Sequence, residues 1–200
     1  MAPVHRGLCS ISPVAGYSGT RRSPDPRLLL RILAGKFAGR DLTSPQDSRV
    51  RPTAEHVRDY LLTQLAADLP NARILDLFAG SGALGLEAIS RGARSADFVE
   101  FRPASLHALR ANVAALRLRE RTRIFKRDAI PFAAALGADS YDIGFADPPY
   151  TSRLLERVLE SWRANRFSRI LAVEHARAHQ LPGGGHRQTF EDTTITIFRR

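Results

Sequence analysis

One stretch constrains the fold more than any other: Asp76-Leu77-Phe78-Ala79-Gly80-Ser81-Gly82-Ala83-Leu84-Gly85. It leaves the apolar run Ile74–Phe78 and enters a segment of helical spacing that continues through Arg91. Gly80, Gly82 and Gly85 spell G-x-G-x-x-G at a strand-to-helix turn, where glycines permit a tight bend and close approach of a ligand. Glu100 follows Gly80 by twenty residues, at the end of the next apolar run. A carboxylate there is placed to accept hydrogen bonds from ribose hydroxyls. A dinucleotide site shares this pattern, but Asp76 separates the two readings. A carboxylate beside the crevice repels a pyrophosphate and attracts a cation, more strongly where water is excluded. S-adenosylmethionine, with a sulfonium and an ammonium and no phosphate, fits that charge. The alternative is an Asp76 that only caps the helix or bonds the loop.

Apolar runs alternate with helical patterns over the rest of the chain. Strands are predicted over Ile74–Phe78, ending at Asp97–Glu100, over Thr122–Lys126, Tyr141–Ala146 and Arg169–Glu174. Helices are predicted up to Arg91, from Pro103 to about Leu116, over Ile130–Leu136 and over Ser152–Trp162. Gly183–Gly185 predicts a turn, with His186–Phe190 and Thr194–Phe198 as a closing hairpin. Strands separated by helices argue for an α/β fold, a mostly parallel sheet covered on both faces, and the last hairpin for an antiparallel edge. Before this unit, Arg27–Leu42 reads as a small β-hairpin with basic residues Arg31, Lys36 and Arg40. Thr53 reads as the N-cap of a helix carrying Val57, Tyr60, Leu61 and Leu65 on one face. The expected organisation is a disordered basic segment over 1–27, a hairpin extension over 28–52 and the main domain over 53–200. Residues 1–27 are Pro-, Ser- and Arg-rich without apolar periodicity. They fit a basic tail, a transit peptide or an extended start equally well, and lack the apolar core of a secretory signal.

The second informative segment is Asp147-Pro148-Pro149-Tyr150, after the strand that ends at Ala146 and about seventy residues beyond the glycine loop. Two prolines stop the strand and fix the backbone. An exocyclic amine on a base is a poor nucleophile because its lone pair is delocalised into the ring. Two acceptors, the Asp147 carboxylate and the Pro148 carbonyl, can bond its two hydrogens and hold the nitrogen toward a methyl donor. Tyr150 offers a face for an extruded base. The bland alternative is a Pro-Pro turn with a packed tyrosine. Asp128, at the end of the third strand, either meets the adenine amine of the cofactor or caps the next helix.

Thirty basic residues against twenty acidic give a net charge of +10, and only Lys36 and Lys126 among the thirty are lysine. Arginine forks match phosphate oxygens and stack on bases, so a nucleic-acid partner is expected. One cysteine, Cys9, excludes an internal disulfide and makes the thiolate chemistry of cytosine C5 transfer a remote option. The histidines show no metal-ligand spacing, so no metal is expected. No apolar run reaches the ~18 residues of a membrane span, so no membrane partner is expected.

These motifs resemble the RsmD-type methyltransferases of bacterial small-subunit (16S) ribosomal RNA, which modify guanine N2. The resemblance spans roughly 28–200. It is carried by Arg31-Ile32-Leu33-Ala34-Gly35, by Arg51-Pro52-Thr53 with Val57-Arg58, by the run from Asp76 to Ala88, and by Asp147-Pro148-Pro149-Tyr150. It implies a Rossmann-like class I fold with a seven-stranded sheet and S-adenosylmethionine as cofactor. It implies a cofactor site formed by Asp76, Phe78, Ala79, Gly80, Ser81, Gly82, Glu100, Asp128 and Ala129, and a target site formed by Asp147 to Tyr150. It further implies RNA contacts from Arg31, Lys36, Arg40, Arg49, Arg51 and Thr53, with ribosomal RNA or an assembling small subunit as partner in the cytoplasm. Two departures stand out. Phe101-Arg102 follows Glu100 where the family often has another acid, and Glu191-Asp192-Thr193 replaces a more usual Gly-Asp-Thr turn.

Three other functions compete. A DNA methyltransferase acting on adenine N6 or cytosine N4 would use the same four residues at the target. The lack of a separate target-recognition domain of ~100 residues favours a substrate known by its own shape. A nicotinamide oxidoreductase shares the glycine loop but not Asp76. A non-catalytic RNA-binding module would have no use for Asp147.

Overall fold

The computed structural model describes residues 30–45, 54–150 and 152–200. The expectations for 1–27, Cys9, Arg49, Arg51, Pro52 and Thr53 lie outside the described residues. Nine strands and five α-helices are described: β1 Leu30–Arg31, β2 Asp41–Leu42, α1 Glu55–Gln64, β3 Arg73–Leu77, α2 Ala83–Ser90, β4 Ser95–Glu100 and α3 Pro103–Ala115. The chain continues through β5 Thr122–Lys126, α4 Ala129–Ala134, β6 Tyr141–Ala146, α5 Leu154–Asn165, β7 Ser168–Ala176, β8 His186–Thr189 and β9 Thr193–Arg199.

The main sheet has seven strands in the order β5-β4-β3-β6-β7-β9-β8. β5 through β7 are parallel, and β9 pairs antiparallel with both β7 and β8. The strand order reverses between β3 and β6, which opens a crevice at the carboxyl ends of those two strands. Period-two alternation assigns side chains to the two faces. Ile74 joins the core under α2 and α3, while Leu75 and Leu77 join the core under α4 and α5. α5 buries Leu155, Val158, Leu159 and Trp162, the spacing of one helical face. The Rossmann-like α/β reading therefore holds, antiparallel edge included.

Among the described residues the N-terminal hairpin pairs Leu30 with Leu42 and Arg31 with Asp41 antiparallel, continues through Ile32 N to Arg40 O at 2.9 Å and Gly39 N to Ile32 O at 2.8 Å, and turns through a 3-10 segment at Gly35–Phe37. Its amides are claimed by α2: Glu87 accepts from Leu33 N at 2.9 Å and Ala34 N at 2.9 Å, and Ser90 Oγ accepts from Phe37 N at 2.9 Å. The first described helix starts at Glu55 with Ala54 at the cap position, where no side chain caps it. Glu55 in the first turn supplies negative charge to the helix N-terminus in place of a capping side chain.

The hairpin is tied down through α2. Glu87, fully buried, pairs with Arg58 Nε at 3.4 Å and Arg91 at 2.9 Å. Arg58, 1% exposed, also donates to the Arg31 carbonyl at 2.5 Å. The residues that carry the family resemblance at both ends, Leu33-Ala34 and Arg58, thus converge on one carboxylate.

Candidate active site

The glycine loop leaves β3 through Phe78, whose φ of 62° puts a bulky side chain in the left-handed region. Such a conformation persists only where surrounding structure enforces it, and it clusters at ligand sites. The loop is held by Ala79 N to Val99 O at 3.1 Å and Gly82 N to Ala79 O at 2.7 Å. Gly82 has φ 79°, and a β-carbon on it would run into Leu109. Only glycine meets both demands. Asn112 of α3 braces the loop from behind: its Nδ2 donates to Ser81 O at 2.9 Å and to Thr43 O at 3.0 Å.

Three carboxylates surround this loop. Asp76 is buried, and its Oδ2 accepts from Gly85 N at 3.1 Å. Burial, opposed by that bond, pushes its carboxyl up to about 7. Glu100 is also buried. Its Oε2 accepts from Gly80 N at 3.0 Å, and its Oε1 accepts from Phe101 N at 2.7 Å and Arg102 N at 2.8 Å. Glu100 therefore shapes the loop as well as standing ready for hydroxyls. Asp128 Oδ1 accepts from Ile130 N at 2.8 Å, so the capping alternative is realised, with Ala129 buried as the first residue of α4. A shallow hollow lined by Arg127, Asp128, Pro131 and Phe132 opens beside that cap.

Across the crevice, Leu77 is level with Ala146. The next residues of the two strands, Phe78 and Asp147, therefore leave the sheet side by side. Asp147 is half-buried, Pro148 buried, and Pro149 and Tyr150 exposed. The Tyr150 hydroxyl bonds Glu174 Oε1 at 2.9 Å and Thr193 Oγ1 at 2.9 Å. Burial first and the Glu174 charge second hold its phenol above the ordinary range. Among the described residues the exposed large hydrophobics are Phe101 and Tyr150. They sit at the carboxyl ends of β4 and β6, on either side of β3. Sequence reasoning treated Phe101 only as a departure from the family; its position directly after Glu100 was the available signal. It also missed Glu174, Thr193 and Asn112, which act through contacts distant in sequence.

The predicted RNA-contacting residues that are described, Arg31, Lys36 and Arg40, are all exposed. Arg31 pairs with Glu55 at 3.5 Å, and Arg40 donates to Ala115 O at 3.4 Å. Among the described residues no group of three or more histidines, cysteines or acids could hold a metal ion, and no helix is long and apolar enough to cross a membrane.

The family described as Conserved hypothetical protein 95 matches residues 30–193. The chain belongs to this family. It is 40% identical over 158 residues to ribosomal RNA small subunit methyltransferase D of Escherichia coli strain K12, covering 76% of this chain and 78% of that one. It is 30% identical over 140 residues to the protein of the same name from Haemophilus influenzae, covering 69% and 72%. The solved structure of yhhF from Escherichia coli, assigned as a methyltransferase, superposes with a TM-score of 0.76 at 33% identity, over 85% of this chain and 97% of that one. Thermus thermophilus RsmC, a 16S rRNA N2 G1207 methyltransferase in complex with AdoMet and guanosine, shares the fold. Its TM-score is 0.66 at 18% identity, over 85% of this chain and 49% of that one. The resemblance to RsmD-type enzymes, the class I methyltransferase fold and the assignment as a methyltransferase all hold for this family member.

Proposed function

We propose that this chain transfers a methyl group from S-adenosylmethionine to the exocyclic N2 of a guanine in small-subunit ribosomal RNA. The observation that carries the reading is the register of β3 and β6. It brings the glycine loop and Asp147-Pro148-Pro149-Tyr150 out of the sheet as neighbours at the switch point. The family's named relatives act on ribosomal RNA of the small subunit, which favours RNA over DNA and, with it, the cytoplasm.

The residues fit the cofactor. Asp76 is a buried carboxylate whose bonded partner is the Gly85 amide in the first turn of α2, so a cationic group nearby would relieve the cost of ionising it. Glu100 has acceptor capacity left on Oε2 for a hydroxyl, and the exposed Phe101 stands beside it. When bound, the cofactor supplies an electrophilic methyl on its sulfonium. The chain's own residues do the rest. The Asp147 carboxylate and the Pro148 carbonyl accept the two hydrogens of the target amine and orient its lone pair toward the methyl. The N–C bond forms as the C–S bond breaks, and the extra proton on nitrogen leaves to Asp147 or to water. Positioning of this kind lowers a barrier by up to about 7 kcal/mol. Tyr150 stacks the extruded base, worth about 1–3 kcal/mol. Arg31, Lys36 and Arg40, with Arg49, Arg51 and Thr53, hold the RNA, and the main domain over 53–200 carries both sites.

Methyl transfer from labelled cofactor to unmodified small ribosomal subunits, naked ribosomal RNA and duplex DNA, followed by nucleoside analysis, tests the proposal. N2-methylguanosine from a ribosomal acceptor is expected. Label in DNA alone overturns the substrate and keeps the amino-methylating chemistry.

A further inference from the structure

Tyr150 combines two properties that rarely meet in one side chain. The residue is 38% exposed, yet its hydroxyl is gripped by residues from two strands of the sheet. Glu174 lies in β7 and Thr193 in β9, and they are 9% and 8% exposed. The phenol donates to Glu174 Oε1 at 2.9 Å and lies 2.9 Å from Thr193 Oγ1. Thr193 Oγ1 is itself 3.2 Å from Glu174 Oε1 and 3.0 Å from the His175 carbonyl. The two hydroxyls, the Glu174 carboxylate and the His175 carbonyl form one hydrogen-bonded cluster at the far end of the tyrosine.

We propose that Glu174 and Thr193 are positioning residues that latch the Tyr150 hydroxyl and fix its ring as a rigid wall of the target-base site. The inference rests on the methyltransferase reading for what the wall is for, but the latch itself rests on the contacts above.

A buried carboxylate is a poor device for stability, because an apolar replacement of similar volume is often neutral or better. Its advantage is directional. A tyrosine anchored only at its backbone can swing about its first side-chain torsion, whereas one held at its oxygen as well cannot carry its ring away without breaking these bonds. The prolines fix the other end of the segment. Both ends of Asp147-Pro148-Pro149-Tyr150 are then held before substrate arrives, and the order required for catalysis is present in advance. The residue as a whole remains exposed, as a stacking platform requires.

The test compares Glu174→Ala, Glu174→Gln, Thr193→Val, Tyr150→Phe and the Glu174→Ala/Tyr150→Phe double variant. Glu174→Ala and Tyr150→Phe are expected each to lower kcat by roughly 10- to 100-fold, the scale of a slightly misplaced reacting group, with S-adenosylhomocysteine affinity unchanged. The double variant is expected to be no worse than either single one, because both cut the same contact. Glu174→Gln, which keeps an acceptor oxygen, is expected to lose less than Glu174→Ala. Multiplying losses in the double variant, or loss of cofactor affinity together with kcat, overturns the latch. Thr193→Val preserves shape and serves if Glu174→Ala does not fold. Three-bond NMR couplings to the Tyr150 β-protons decide the latch without any acceptor: averaging over χ1 rotamers in Glu174→Ala with Tyr141 unchanged supports it, and a single unaltered rotamer overturns it. Wild-type protein inactive on every acceptor would instead sink the proposed function while leaving the coupling measurement decisive.

Discussion

Gly35 rests directly on the carbonyl of Ser90, so close that a β-carbon at position 35 would overlap it. The contact joins the N-terminal hairpin to the last turn of α2. Gly35 also has φ 82°, a conformation L side chains avoid. Both effects act against any side chain there. Gly35→Ala is expected to destabilise the protein by about 1–3 kcal/mol from overpacking against backbone that cannot yield, with a further cost from φ. Urea unfolding checks this, and an unchanged midpoint would show that the hairpin is not docked as described.

Glu87 carries the other half of that joint. It is fully buried, accepts two hairpin amides and faces Arg58 and Arg91. Removing its charge leaves Arg58, 1% exposed, as a buried cation with a weakened partner. Glu87→Gln is expected to cost about 3–5 kcal/mol, the usual penalty for breaking a buried pair from one side. The amide can still accept from Leu33 or Ala34, so a loss well below that range would mean that the backbone bonds, not the ion pair, dominate.

Sequence legibility followed the range of the interactions. β5 and β6 fall where the chain predicts them, at Thr122–Lys126 and Tyr141–Ala146, because short apolar runs bounded by turn residues carry their own signal. The glycine loop and Asp147 to Tyr150 were legible for the same reason, since turn chemistry is local. The capping role of Asp128 was visible as an alternative because a cap acts two residues away. The docking of the hairpin on α2 was not legible, because its amides bond Glu87, 53 and 54 residues distant. The Tyr150–Glu174 contact spans 24 residues and crosses from one strand to the next. No periodicity or motif encodes such a pairing; it exists only once β6, β7 and β9 lie side by side.

Asp147 tests the division between cofactor and target sites. It stands at the end of β6, and the carboxylates proposed to meet the cofactor, Asp76, Glu100 and Asp128, stand on β3, β4 and the start of α4. Asp147→Ala is expected to reduce kcat by at least about 100-fold, as for loss of a positioning and proton-accepting group, while S-adenosylhomocysteine still raises the melting temperature. Loss of that thermal shift would place Asp147 in the cofactor site. NAD is expected to give no shift in either protein.

Lys36 and Arg40 are exposed on the hairpin. If they neutralise phosphates, each substitution to alanine lowers the slope of log affinity against log salt by about 1 and weakens RNA binding without regard to sequence. Filter binding over a salt series measures this. An unaltered slope would remove the hairpin from the RNA surface.

Asp76 makes cofactor binding depend on pH in a defined direction. Burial raises its carboxyl to about 7 in the ligand-free protein, against about 3.9 in an unfolded chain. The folded state therefore holds a proton that the unfolded state releases between these values. The stability this group contributes is complete below about pH 4 and is lost as pH rises through 7. A cationic ligand reverses the preference, because its charge favours the ionised carboxylate. Binding of S-adenosylhomocysteine, which keeps the ammonium, is then expected to expel a proton below pH 7. Its affinity is expected to rise as pH increases from about 6 to 7.5, short of the range where an α-amino group itself deprotonates. Titration calorimetry in two buffers of different ionisation enthalpy counts the proton directly. Asp76→Asn is expected to bind more weakly and with a flat profile over the same interval. A flat profile in the wild-type protein would mean that Asp76 serves the Gly85 amide alone and never meets the cofactor's charge.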